Sequence, residues 1–143
     1  MGKPINTVAK LQATYGAVLV SPVMYAVVGV VVVSTKAVTP TIPPEASSSI
    51  GIAFIVGGLL AIAASMLVRF ALTARLPREG ATLEQRAPVV LVPIAVAEVA
   101  GLLGLVYAIL SGTFVIPCVL WVCSLGAGVF HFPRRRWLEG NRR

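Results

Sequence analysis

The sequence predicts an all-α integral membrane protein, a four-helix bundle with both termini in the cytoplasm. Apolar residues make up 57% of the 143 residues, charged residues only 12%, and the mean hydropathy is +0.92. Soluble chains carry about 25% charged residues, so this chain has too few charges to cover a water-facing surface. The apolar residues also form four long runs, and most of the basic residues flank these runs on one side.

The four apolar runs predict the spans of a single membrane domain over residues 1–143. Each run can cross a hydrocarbon core of about 30 Å as a helix, and lipid favours helix because backbone polar groups must bond within the segment. The first run exceeds the apolar core of a signal peptide, which favours a retained anchor. Ser111-Gly112 is a very short link and predicts an antiparallel hairpin. The predicted spans are residues 15–34, 50–72, 87–110 and 113–132, followed by a basic cytoplasmic tail at 133–143.

The distribution of Lys and Arg predicts the orientation. Of the twelve basic residues, only Lys36 lies on one side of the predicted membrane. Because cytoplasmic loops carry the excess of Lys and Arg, the richer side, which includes both termini, is predicted to be cytoplasmic. The residues on that side are Lys3, Lys10, Arg69, Arg75, Arg78, Arg86, Arg134, Arg135, Arg136, Arg142 and Arg143.

The net charge of +7 does not indicate a nucleic-acid-binding protein. Phosphate binding of that kind needs an exposed basic surface, whereas these charges lie in short flanks between apolar runs. They suit anionic lipid head groups instead. We expect such contacts from the tail residues Arg134, Arg135 and Arg136.

The sequence offers little for catalysis or metal binding. Cys118 and Cys123 are five residues apart, which directs them to different sides of one helix. The chain has one His and no Asp, so neither a closed zinc site nor a Ser-His-Asp set can be assembled. We therefore expect no metal, no cofactor and no enzymatic activity. The single histidine, His131, is expected to make a head-group or helix-end contact.

Small residues form faces on the second and third predicted helices. Such faces let helices approach closely in lipid, where no hydrophobic drive favours association. Two interpretations remain open: packing within one chain, or a ring or dimer contact between chains. The residues are Ala97, Gly101, Gly104 and Ala108 on the third helix, and Gly57, Ala61 and either Ala64 or Ser65 on the second.

Glu98 is the residue with the strongest indication of function. It follows Pro88 by ten residues, which places it about 15 Å into the membrane. An ionised carboxylate is costly there and usually marks a functional site. The alternative is a protonated carboxyl that only donates a hydrogen bond to a neighbouring helix. Candidate partners are Tyr25, Ser21 and Ser65.

The stretch AVAEVAGLLGLVYAIL, residues 95–110, resembles the carboxylate-bearing helix of the proteolipid c subunits of rotary ATP synthases and ATPases. The matching acid in that family binds a proton or sodium ion, which implies proton binding at Glu98. The chain is also similar to small bacterial four-helix membrane proteins with a proteolipid-like third helix and a terminal Phe-Pro-Arg, here Phe132-Pro133-Arg134. This resemblance implies a multi-pass protein of the bacterial inner membrane. The other matching positions are Ala97, Gly104, Leu105 and Val106.

These observations together predict a small non-catalytic membrane subunit or scaffold that binds a proton at Glu98. Its expected partners are the anionic lipid bilayer and either other membrane subunits or further copies of itself. Two alternatives remain open: a small proton-coupled transporter, and an accessory subunit of a respiratory or photosynthetic membrane complex.

Overall fold

The computed structural model describes residues 5–77 and 81–132 of the protein. Within these residues the chain forms four α-helices and no β-strand, which confirms the prediction of an all-helical fold. The helices are α1 (Ile5–Ser34), α2 (Pro44–Ala74), α3 (Leu83–Ser111) and α4 (Val115–Phe130).

Three of the four helices are long and apolar enough to cross a membrane. Helices α1, α2 and α3 contain 30, 31 and 29 residues, and each is longer than a hydrocarbon core of about 30 Å. Helix α4 has only 16 residues and is therefore about 24 Å long. The apolar run predicted over residues 113–132 is thus helical only over Val115–Phe130.

Helix α3 is the central element of the bundle. It packs against α1, α2 and α4, whereas α1 and α2 make no contact with each other among the described residues. Within the most apolar part of α3, 44% of the residues are buried, compared with 11% in α1 and 17% in α2. A residue on α3 can therefore face any of the other three helices.

The ends of α3 are fixed by specific caps, which extend the helix beyond the predicted residues 87–110. At its start, the backbone N–H of Gln85 donates to Thr82 Oγ1 and the backbone N–H of Thr82 donates to Gln85 Oε1, at 3.3 and 2.9 Å. This reciprocal pair is a capping box. At its end, Gly112 adopts a φ of 66° and donates to the carbonyl of Ala108 at 2.9 Å. A Cβ at Gly112 would meet Pro40, so a larger residue fits neither the backbone conformation nor the space.

Helices α3 and α4 form the predicted antiparallel hairpin. The Ser124 hydroxyl donates to the Ala97 carbonyl at 3.1 Å, and the Trp121 indole N–H donates to the Gly101 carbonyl at 3.2 Å. The residue numbers run in opposite directions along the two helices, as an antiparallel pair requires.

The segment between α1 and α2 lies against the end of α3 that enters this hairpin. The backbone N–H groups of Thr41 and Ile42 both donate to the Leu110 carbonyl, at 2.9 and 3.1 Å. One turn earlier on α3, the Tyr107 hydroxyl donates to the Ser47 carbonyl at 2.8 Å and accepts from the Ser47 hydroxyl at 3.0 Å. These contacts fix which end of α2 lies beside the hairpin turn.

Candidate functional site

Glu98 lies near the middle of the central helix. It is about 22 Å from Leu83 and about 20 Å from Ser111, the two ends of α3. The side chain is half-buried, and its Oε1 atom is buried with no hydrogen-bond partner. Buried polar atoms are almost always hydrogen-bonded, so this atom is an exception that calls for an explanation.

Two polar side chains of α1 face Glu98. Ser21 and Tyr25 both lie close enough to the Glu98 carboxyl to interact with it electrostatically. The two residues are four apart on α1 and therefore lie on one side of that helix. Of the partners expected from the sequence, Ser21 and Tyr25 are thus brought to Glu98, whereas Ser65 lies elsewhere.

Gly101 makes room for this arrangement. It follows Glu98 by three residues, so the two lie on adjacent turns of α3. A Cβ at Gly101 would lie 3.1 Å from Cδ2 of Tyr25 and 3.2 Å from Oγ of Ser124. The bare backbone at Gly101 therefore lets the Tyr25 ring lie across α3 beside the carboxyl.

The small residues of α3 pack within the chain. All four predicted positions, Ala97, Gly101, Gly104 and Ala108, are buried. They contact α4 and α1: a Cβ at Gly104 would lie 2.9 Å from Nε1 of Trp121. This face is occupied by helices of the same chain.

The buried side of α2 differs in part from the face expected from its sequence. Gly57 and Ala61 are half-buried, with Gly57 next to Leu103 of α3, and Ala64 is exposed. The fully buried small residues of this helix are spaced by seven, which keeps them near one face over several turns. They are Gly51, Gly58 and Ser65.

A second polar cluster joins α2 to the end of α4. Nη1 of Arg69 donates to the Phe130 carbonyl at 2.9 Å and to Nδ1 of His131 at 3.0 Å. Nε2 of His131 is 3.1 Å from the Ser65 hydroxyl, which donates to the Ile62 carbonyl at 2.7 Å. Only 1% of His131 and none of Ser65 is exposed to solvent.

The donors in this second cluster determine the form of the histidine. Arginine has no acceptor, so Nδ1 of His131 must accept from Arg69. The single N–H of the neutral ring is then on Nε2, and it donates to the Ser65 hydroxyl oxygen. The Ser65 hydroxyl itself donates to the Ile62 carbonyl. His131 is therefore a neutral imidazole with both ring nitrogens bonded.

This cluster was not predicted from the sequence. His131 does lie at a helix end, directly after α4, as expected, but the contact of its ring with α2 was not expected. Ser65 and Arg69 are four residues apart on α2 and share a face, which is the local signal. His131 is 66 residues from Ser65, and no local pattern can report such a contact.

The other residues predicted from the sequence are the tail arginines and the two cysteines. Arg134, Arg135 and Arg136 lie outside the described residues. Cys118 and Cys123 are both free. In the part of the chain that the structure describes, no three His, Cys or Glu side chains lie together as metal ligands would.

Comparison of this chain with protein-family models, curated proteins and solved structures gives no match.

Proposed function

We propose that the protein is a small non-catalytic subunit of the bacterial inner membrane that binds a proton at Glu98. In this proposal the chain crosses the membrane four times and keeps both termini in the cytoplasm. It assembles with other membrane subunits or with further copies of itself. The local resemblance of residues 95–110 to the c-subunit helix points in the same direction.

The observation that carries the proposal is the buried, unpartnered Oε1 of Glu98. An ionised carboxylate needs several hydrogen bonds or a cation, and a protonated carboxyl needs far less. In the described residues no Lys or Arg lies within 4.0 Å of this carboxyl. The neutral, protonated form is therefore the form that suits this environment.

The position of Glu98 supports exchange of that proton. Glu98 is followed on α3 by the exposed residues Val99 and, one turn later, Leu102. Because the side chain is half-buried, a small movement of that side chain would bring its carboxyl to a neighbouring membrane subunit without unfolding the bundle. A carboxyl sealed in the centre of the bundle would have no such access.

The experiment is modification with dicyclohexylcarbodiimide, an apolar reagent that enters membranes and reacts with protonated carboxyl groups. The purified chain in lipid nanodiscs should take up one equivalent, and uptake should fall as the pH is raised. Glu98→Gln should abolish it. The matched control is Glu84→Gln, which removes an exposed carboxyl from the first turn of the same helix.

Two results would contradict proton binding at Glu98. One is the absence of any modification of the wild-type chain. The other is modification of the Glu98→Gln variant to the same extent as the Glu84→Gln variant.

A further inference from the structure

Arg69 carries a positive charge that nothing in the described protein neutralises. Its partners, the Phe130 carbonyl and the His131 ring, are both uncharged. No carboxylate of the described residues lies within 4.0 Å of the guanidinium. A half-buried cation in an apolar setting is costly without a counter-ion, so this position calls for an anion.

The guanidinium is also held in a geometry that suits an oxyanion. Both hydrogen bonds are donated by Nη1, and Nε and Nη2 make none among the described residues. These two nitrogens form the edge of the guanidinium that binds phosphate through two parallel hydrogen bonds. The Phe130 ring, 5.4 Å from Cζ of Arg69, supports the group from one side.

The surroundings of Arg69 point to a lipid as the source of the phosphate. Arg69 precedes the end of α2 by five residues, about 7.5 Å, which is the depth at which a long side chain reaches the head groups. The Phe130 ring that packs on the guanidinium is 65% exposed, and Phe70, the next residue of α2, is 77% exposed. A free phosphate ion would leave these side chains unused, whereas a phospholipid has acyl chains to cover them.

We propose that Arg69 binds the phosphate of an anionic phospholipid, whose acyl chains pack on Phe70 and Phe130. His131 acts as a positioning residue, because its Nδ1 holds Nη1 of the guanidinium, and Ser65 in turn holds the other nitrogen of the His131 ring. The proposal depends on insertion of α2 in the membrane, and it is independent of whether Glu98 binds a proton. Failure of the carbodiimide experiment would leave it unaffected.

The test is native mass spectrometry of the full chain in detergent with equal amounts of phosphatidylglycerol and phosphatidylcholine. Wild type should retain phosphatidylglycerol preferentially. Arg69→Gln should lower the ratio of the two bound lipids by about fivefold, as expected for one cation near an anionic surface. The matched control is Arg75→Gln, which removes the same charge from an exposed position at the end of α2 and should leave the ratio nearly unchanged.

Equal effects of Arg69→Gln and Arg75→Gln, or no effect of either, would overturn the proposal, because net charge alone would then explain retention. Displacement of the lipid by inorganic phosphate, under conditions in which chloride of the same ionic strength does not displace it, would show a site for free phosphate instead.

If circular dichroism shows that the Arg69→Gln variant is unfolded, the Arg69→Lys variant is tested in its place. Lysine keeps the charge and loses the two-nitrogen edge, so retention should weaken, and unchanged retention would contradict the proposed geometry.

Discussion

Nη1 of Arg69 and Nδ1 of His131 are 3.0 Å apart, and their hydrogen bond requires that His131 be neutral. The bond connects α2, through Arg69, to the residue that follows α4. Nε2 of the same ring bonds Ser65, which lies one turn before Arg69 on α2. The His131 imidazole therefore connects two successive turns of α2 to the end of α4. These contacts supply the end of α4 with a polar attachment that its apolar side chains could not provide.

Removal of the His131 ring should therefore loosen α4. His131→Ala leaves the Arg69 donor and the buried Ser65 hydroxyl without this partner, at an expected cost of about 1–2 kcal/mol. The measurement is unfolding of the chain in lipid micelles titrated with a denaturing detergent. His131→Asn is the control, because its Oδ1 can take the place of Nδ1 and accept from Arg69, and it should lose less stability. A His131→Ala variant as stable as wild type would show that the contact contributes nothing.

Acid should destabilise the fold through the same histidine. A proton on Nδ1 would face Arg69, so the folded chain accommodates the neutral ring, whereas the imidazole of the unfolded chain is free to take a proton. Stability should thus be complete well above pH 6.5, the ordinary pKa of a free histidine, and should fall as the pH is lowered below it. Unfolding measured across this range should show the loss in wild type and a smaller loss in His131→Asn. Identical profiles for the two chains would contradict this explanation.

Close approach of α3 and α4 at Gly104 can be tested with a matched pair of glycines. A Cβ at Gly104 would lie 2.9 Å from Nε1 of Trp121 and 3.2 Å from Cβ of Leu120. Gly104→Leu should cost about 1–3 kcal/mol, as overpacking of a filled interface does. Gly126 on α4 has no atom within 4 Å of a built Cβ, so Gly126→Leu should be tolerated. The denaturing-detergent titration distinguishes them, and equal effects would argue against tight packing at Gly104.

The proposed orientation predicts opposite labelling at two exposed positions. Lys36 follows α1 and Arg75 follows α2, so one transmembrane helix separates them. In a chain without its own thiols (Cys118→Ser and Cys123→Ser), Lys36→Cys should react with a membrane-impermeant maleimide added outside intact cells. Arg75→Cys should react only after the membrane is permeabilised. The reverse pattern would show that the termini face outward, and labelling of both positions from outside would exclude a span between them.

The apolar runs predicted the number of helices because a hydrocarbon slab leaves a backbone few alternatives. Hydropathy could not locate the ends of α3, because polar first turns are stabilised by side-chain caps instead of burial. The sequence does contain the capping-box pattern, a Thr at position 82 followed three residues later by Gln85, and this pattern marks the start of α3.

Side-chain partners were harder to predict than helices. Glu98 was identified from its charge and its depth in the membrane. Tyr25, Ser21 and Ser65 were all candidate partners for its carboxyl. Which of them lies near Glu98 depends on how α1 and α2 are rotated about their own axes relative to α3. Small residues every three or four positions are compatible with several rotations. The rotation of α2 is set by Gly51 and Gly58, whose bare backbones admit Ile116 and Leu120 of α4.

The most direct test of proton binding is the ¹³C chemical shift of the Glu98 carboxyl carbon, measured in nanodiscs at neutral pH and assigned by comparison with Glu98→Gln. The shift distinguishes a protonated from an ionised carboxyl without any reagent. A protonated Glu98 carboxyl at neutral pH is the predicted result. A carboxyl at Glu98 that is fully ionised at neutral pH would contradict the account.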